Sequence, residues 1–471
     1  MRHRLPIASS IASRSASANT DAKLVNCFVE TLPDKQHRAV IKRPGLSVYS
    51  SVTPAPGLGI HAWGTDIYAV FGNTVYKNGV ALAGTVDSSA RYWFTEVPQS
   101  HDGSLPARLV MHNGVAAYTI STGGTITQIT DPDLPFPLAA GIAYLDTYTC
   151  VLTPKAEVYN SNGGDPTNWG ALNFLTAQLE PAPGVWIGKH LNYLMVITQW
   201  STEFFYDAAN PTGSPFARVD AAKLQFGSYA ANSIVEIDGN KIWIARSRSG
   251  SPFVVFLEGM NPSIVSTRPI ERILDDADMN QLYAWGYRDY GHAFYVVSLK
   301  SENKTIVYDL HEKEWYFWNY NGGYFPFVGY APTIEQKHLI QHESDGKIYS
   351  IDSENLDDAG VPITVEVVTP IYDGGTTDRK SISRIEVVGD TQPGSTVYLS
   401  CSDNDYASFG GTYAIDMSKE RKYASRLGAF RRRAFRLQHT SNTPLRMTYL
   451  QIDVEIESED VQQDSSASAV R

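Results

Sequence analysis

Glu203 and Asp207 stand four residues apart in Thr202-Glu-Phe-Phe-Tyr-Asp207. In an extended chain that spacing puts both carboxylates on one face, and a carboxylate pair is what glycoside hydrolysis uses as its acid and its base or nucleophile. Asp275, Asp276 and Asp278 read as an acidic loop. Solvated turns also look like this, and no third group is placed by spacing beside either set. Catalysis carried by a motif is unsupported: no G-x-x-x-x-G-K-[ST] loop, G-x-S-x-G elbow or H-E-x-x-H helix occurs.

Metal chemistry fares similarly. His338 and His342 flank Leu-Ile-Gln, with Glu343 alongside, but a third ligand is missing from the pattern. Asp373-Gly-Gly-Thr-Thr-Asp378 and Asp403-Asn-Asp405 are oxygen-rich turns without the EF-hand spacing, and Asx-turn chemistry explains them without an ion. Ser161-Asn-Gly-Gly-Asp165-Pro-Thr-Asn-Trp169 looks like the Asp-box turn of sialidases, which is structural and here occurs once. Cys27, Cys150 and Cys401 are far apart with no C-x-x-C pair and read as reduced packing residues. No cofactor or metal is expected, and the chain does not read as an enzyme.

One basic cluster stands out in an acidic chain: Arg421, Lys422, Arg426, Arg431, Arg432, Arg433 and Arg436. In a strand, Arg431, Arg433 and Phe435 share one face and Arg432, Ala434 and Arg436 the other. A charged edge strand that blocks unwanted pairing is one reading. The other is a docking patch formed by Arg421, Arg426, Arg431, Arg432, Arg433 and Arg436 for an acidic neighbour in an assembly.

The elements that must position these residues are strands. Seven strand-ending aromatics recur, at Tyr76, Tyr118, Tyr159, Tyr206, Phe256, Tyr308 and Tyr349. Before most of them lies a run expected to alternate with period two, such as Ile67–Phe71, Leu194–Ile197 or Ile242–Ala245. A period of about 40–50 residues is that of a β-propeller blade, a four-stranded sheet set around an axis. The chain is therefore expected to be all-β, a six- or seven-bladed β-propeller with an additional small C-terminal β domain. The expected divisions are an N-terminal arm over 1–20 held by a partner, the propeller over 21–355, the C-terminal β domain over 356–455 and a flexible tail over 456–471. In that second domain, strands are expected at 363–368, 382–388, 396–400, 431–437 and 445–453.

A net charge of −11 argues against a protein that grips phosphate backbones. No run of about 18 apolar residues occurs, and the first ten residues lack the apolar core of a signal peptide; the expectation is a protein made and kept in a cytosol.

Several segments, in order, resemble the packaged-DNA stabilisation proteins of short-tailed phages, the tail hub or nozzle family. They are Leu24-Val-Asn-Cys-Phe28 with Ile41-Lys-Arg-Pro-Gly-Leu46, then Gly59–Gly64 leading to Ile67–Gly72 and Val75-Tyr76, and then Asp165–Trp169 with Leu172-Asn-Phe174. Ser201–Asp207, Pro215–Val219 and Arg426–Leu437 follow. Thr198-Gln-Trp200 departs from the Gly-Gln found there in relatives. The resemblance implies a structural virion protein assembled in the host cytoplasm as a homohexameric ring. That ring would lie below the head-to-tail adaptor, hold tail spike, fibre or needle proteins, and let double-stranded DNA pass without sequence-specific binding. An acidic lumen would suit that passage. The alternatives are a propeller that binds or cleaves carbohydrate and a cellular scaffold.

Overall fold

The computed structural model describes residues 2–8, 11–12, 21–33 and 37–457, and it divides the chain into two compact units. One is Pro44–Ala359; the other combines Met1–Arg43 with Gly360–Arg471.

Pro44–Ala359 is a ring of seven blades, each built on four antiparallel strands. Blades 1 to 6 are consecutive in sequence, spanning 57–81, 93–128, 143–176, 184–224, 235–264 and 282–318. Blade 7 takes three strands from 327–352 and its outermost strand from Gly45–Ser51, which pairs with Lys347–Asp352. The first and last strands of the unit are thus hydrogen-bonded in one sheet, which leaves no open end in the ring. Each of the seven aromatics lies in the third strand of its blade, for example Tyr76 in Thr74–Lys77 and Tyr349 in Lys347–Asp352. Of the expected six or seven blades, the structure has seven.

The apolar runs form the second strands, and here strict alternation gives way. Asp66–Phe71 is buried at five successive positions and His292–Leu299 throughout. A blade is covered on both faces by its neighbours, so its central strands are apolar on both sides. Packing runs from blade to blade around the ring. Tyr68 and Val70 of blade 1 pack with Leu109 and Met111 of blade 2. Cys150 and Val158 of blade 3 meet Ile187 and Phe205 of blade 4. Ile60 and Phe71 of blade 1 meet Ala331 and Ile348 of blade 7. Burying one such Val, Leu, Ile or Phe contributes about 1.5–3 kcal/mol. Polar ties join blades 5 and 6, where the Tyr295 hydroxyl donates to the Ser233 carbonyl at 2.7 Å and Trp315 Nε1 donates to the Val265 carbonyl at 2.9 Å.

The second unit holds two antiparallel sheets. In one, Cys27–Thr31, Arg38–Lys42, Arg446–Glu457, Arg379–Gly389 and Tyr423–Ser425 follow in order, with Arg2–Pro6 on Arg446–Glu457. In the other, Lys23–Val25, Val365–Val368, Ala434–His439, Thr396–Ser402 and Gly410–Asp416 follow in order. The strands between 23 and 42 therefore complete sheets whose other members lie more than 300 residues later, and the propeller starts at Pro44, not at 21. Arg2–Pro6, expected within an arm held by a partner, pairs with this chain's own Tyr449–Asp453. Ile7 and Ile11 of that arm are buried as well, and Ile456 and Glu457, expected in the tail, end the strand Arg446–Glu457; residues 1, 9–10 and 13–20 of the arm and the tail from 458 on lie outside the described residues.

Candidate functional site

The arginine cluster does not form one patch. Arg431 and Arg432 lie in a bend, and the strand expected from 431 begins at Ala434. Arg433 is turned inward, 4% exposed. Its Nε and Nη2 donate to the two carboxylate oxygens of Asp403 at 2.7 Å each, and its Nη1 donates to the Leu427 carbonyl at 2.8 Å. Its guanidinium also stacks 4.4 Å from the Phe430 ring centre. A buried fork with these partners cannot dock a neighbour, so Arg433 leaves the expected docking set. Arg432 pairs with Asp405 at 2.8 and 2.9 Å, Arg431 donates to the Thr377 carbonyl, and Arg436 donates to Ser400 Oγ while lying over Phe409. Arg421 pairs with Glu386 at 3.3 Å. Arg426 is exposed with φ 63°.

The same contacts explain the oxygen-rich turns. Asp403 and Asp405 accept Arg433 and Arg432. In the 373–378 turn, buried Lys380 donates from Nζ to the carbonyls of Thr376 and Asp378 at 2.7 Å each. An ammonium and two guanidinium groups thus occupy the oxygen-rich turns that a bound cation would otherwise need to fill. Among the described residues no three His, Cys, Asp or Glu side chains are grouped to hold a metal ion.

The carboxylates of the propeller are not paired with one another. Glu203 is fully buried in the third strand of blade 4. Its Oε2 lies 2.7 Å from Arg218 Nε, and its Oε1 accepts the Leu179 amide at 2.9 Å. Asp207 instead closes a turn by accepting the Ala209 amide. Asp275 and Asp276 end the helix Arg268–Asp276 and are not in a loop, while Asp278 accepts from Asn280 and Gln281. Those donors hold the Asp278 carboxyl below its usual range. In the 161–169 segment, Asp165 accepts from Thr167, and Trp169 packs inward with Nε1 donating to the Pro166 carbonyl, a structural turn.

His338 and His342 mark the two ends of one strand. His338 Nδ1 is 2.9 Å from the Tyr330 hydroxyl, His342 Nδ1 accepts the amides of Ser344 and Asp345, and Glu343 binds Lys300 and Tyr324. Burial lowers the pKa of both histidines.

A residue with no sequence signal lies nearer the axis. Arg91 precedes the innermost strand of blade 2, Trp93–Val97. Its Nη1 is 3.5 Å from Asn232 Oδ1, in the turn Ala231–Ser233 that enters blade 5, and its guanidinium lies 5.0 Å from the Trp93 ring centre. A side-chain carbon added at Gly329 of blade 7 would come within 4.0 Å of its Nη2. In a ring of seven, blades 2 and 5 are as far apart as blades can be, so a side chain reaching from one toward the other sits at the axis. Desolvation lowers its pKa to about 10. Arg91 looked like any charged residue beside an aromatic run, because only the closing of the ring brings its neighbours together.

Residues 3–355 match the family described as bacteriophage P22 Gp10, β-propeller. The chain belongs to this family. It is accordingly a phage structural protein, a component of the virion. A search of curated proteins finds no match. Among solved structures, this member of the P22 Gp10 family is similar to a streptogramin B lyase at 10% identity, with 66% of this chain and 98% of that one covered and a TM-score of 0.43. It is similar also to BamB from Moraxella catarrhalis at 11% identity, with 74% and 97% covered and a TM-score of 0.36. At such identities and scores, neither likeness bears on what this P22 Gp10-family propeller does.

Proposed function

We propose that this protein is a subunit of the hub, or nozzle, of a short phage tail. It extends the DNA channel below the head-to-tail adaptor, retains packaged double-stranded DNA, anchors spike, fibre or needle proteins, and lets DNA pass at ejection. The observation that carries this reading is the family match over residues 3–355. Two physical features support it. A seven-bladed ring closed by Gly45–Ser51 is a rigid block whose loops are free to bind neighbours. A net charge of −11 disfavours the Lys and Arg contacts by which a protein displaces the counterions of DNA and holds it. Copies joined head-to-tail by heterologous contacts close into a ring when their rotation closes, and six is the number proposed. Of the arginine set, exposed Arg421, Arg426, Arg431 and Arg432 are proposed to meet an acidic neighbour at the rim of such a contact, where they would act chiefly on association rate.

Electron microscopy of particles made with and without this protein tests the reading. Its presence should add a ring of density below the adaptor, and its absence should leave heads that lose their DNA. Particles that keep DNA and a complete tail without it would overturn the proposal.

A further inference from the structure

We propose that the guanidinium of Arg91, with Asn232 and Trp93 beside it, is a binding site for one carboxylate at the axis of the propeller. The inference is independent of the tail-hub reading and rests on geometry within the propeller unit alone.

Arg91 is a charged group in a place that gives it little in return. Its Nε is buried and has no hydrogen-bond partner. Its one described acceptor, Asn232 Oδ1, is neutral and stands at 3.5 Å, the long limit of a hydrogen bond. The carboxylate of the same inner strand, Glu96, is held by His61 at 3.1 Å. Among the described residues no carboxylate pairs with Arg91. An enclosed guanidinium without a counterion is destabilising, and Arg remains charged at any ordinary pH. A protein that is acidic overall has nevertheless kept its charge at the axis uncompensated.

The class of ligand follows from charge and shape. One guanidinium balances one negative charge, so a monoanion leaves the enclosed site neutral, whereas a phosphate dianion would leave a surplus charge there. The guanidinium carbon lies over the Trp93 ring, and the planar acceptor that matches an arginine fork is a carboxylate, which meets it with two parallel N–H···O bonds. Arg91 keeps some accessible surface while neighbours from blades 2, 5 and 7 stand around it. That surface therefore opens on the axial space, the route by which the carboxylate enters.

The probe is sodium acetate, compared with sodium chloride at equal ionic strength and pH, read by thermal unfolding of the full chain. Acetate at ten times its dissociation constant should raise the wild-type midpoint by about 1–2 °C. Arg91→Met should show no acetate-specific rise, and Arg91→Lys, which keeps the charge without the fork, a smaller one. The absence of an acetate-specific rise in the wild type, or an equal rise in Arg91→Met, overturns the proposal. Should Arg91→Met fail to fold, crystals of the wild type soaked in bromoacetate decide. An anomalous bromine peak beside the guanidinium is expected, and no peak at saturating bromoacetate overturns the site. A capped glutamate, N-acetyl-glutamate N-methylamide, separates the sources: tighter binding than acetate assigns the site to a neighbouring protein's acidic side chain, weaker binding to a free carboxylate.

Discussion

Arg433 and Asp403 form a two-pronged ion pair in which only one partner is buried: the Arg433 side chain is 4% exposed and that of Asp403 46%. The asymmetry predicts a graded set of costs. Arg433→Met leaves Asp403 largely in water but removes the stack on Phe430 and the donor to Leu427, for a loss of about 2–3 kcal/mol. Asp403→Asn leaves the buried fork short of an acceptor charge and costs about 1–3 kcal/mol. Arg432→Met breaks an exposed pair and costs under about 1 kcal/mol. Urea unfolding of the three variants checks the order, and equal losses for Arg433→Met and Arg432→Met would refute the division between internal and surface arginines.

The Glu203–Arg218 pair is the converse case, with the acid fully buried and the base 31% exposed. Arg218→Met strands a buried carboxylate and should cost about 3–5 kcal/mol. Glu203→Gln keeps an acceptor for the Leu179 amide and releases an arginine that reaches water, so it should cost less, about 1–3 kcal/mol. The double variant Glu203→Gln/Arg218→Met should be more stable than the sum of the single losses predicts, with a coupling of at least about 1 kcal/mol. Unfolding free energies for the four proteins complete this cycle. Additive losses would mean that the two side chains act separately.

These pairs also mark where the sequence stops being readable. The blade period was legible because Tyr76, Tyr118, Tyr159, Tyr206, Phe256, Tyr308 and Tyr349 each fall in a third strand, a local feature repeated seven times. Fourth strands were not: Val80–Ala81 is two exposed residues, and blade 7 borrows Gly45–Ser51 from the other end of the unit. Lys23–Val25 faces Val365–Val368 across a separation that no local pattern encodes. Arg433 read as one of three equal arginines, because what singles it out, Asp403 on one side and Phe430 on the other, comes from tertiary pairing. Arg91 gave no signal for the same reason.

Gly141 tests how tightly blades 3 and 4 meet. It has φ +81°, and a Cβ there would lie 2.0 Å from the Ile187 carbonyl oxygen and 2.8 Å from Trp186 Nε1. Gly141→Ala therefore meets backbone that cannot yield, in addition to left-handed strain, and should cost about 3 kcal/mol or more. Gly239, with φ +75° and nothing within 4 Å of an added Cβ, isolates the strain alone, and Gly239→Ala should cost about 1 kcal/mol. Comparing their denaturation midpoints checks the difference; similar values would show that the blades can part at Gly141.

His112 links that junction to pH. Its Nε2 donates to the Gly141 carbonyl at 2.7 Å, which either charge state allows, but its Nδ1 accepts the Gly114 amide at 3.1 Å, and that bond requires the neutral ring. A second proton on Nδ1 would set one N–H against another, and the buried site disfavours the charge besides; desolvation lowers its pKa from 6.5 to about 4. The unfolded chain takes up this proton near pH 6.5 and the folded chain only near pH 4. The stability contributed by neutral His112 is therefore whole above pH 6.5, declines between 6.5 and 4, and is gone below. From pH 7 to pH 5 the loss amounts to about 2 kcal/mol. His112→Gln removes this titration while leaving that of His439, which burial also lowers to about 4. Urea unfolding at pH 7 and pH 5 should show the wild type losing about 2 kcal/mol more than the variant between the two, whatever the variant's stability at pH 7. Equal losses would mean that the folded protein accepts the proton on His112, and that the Gly114 amide gives way to it.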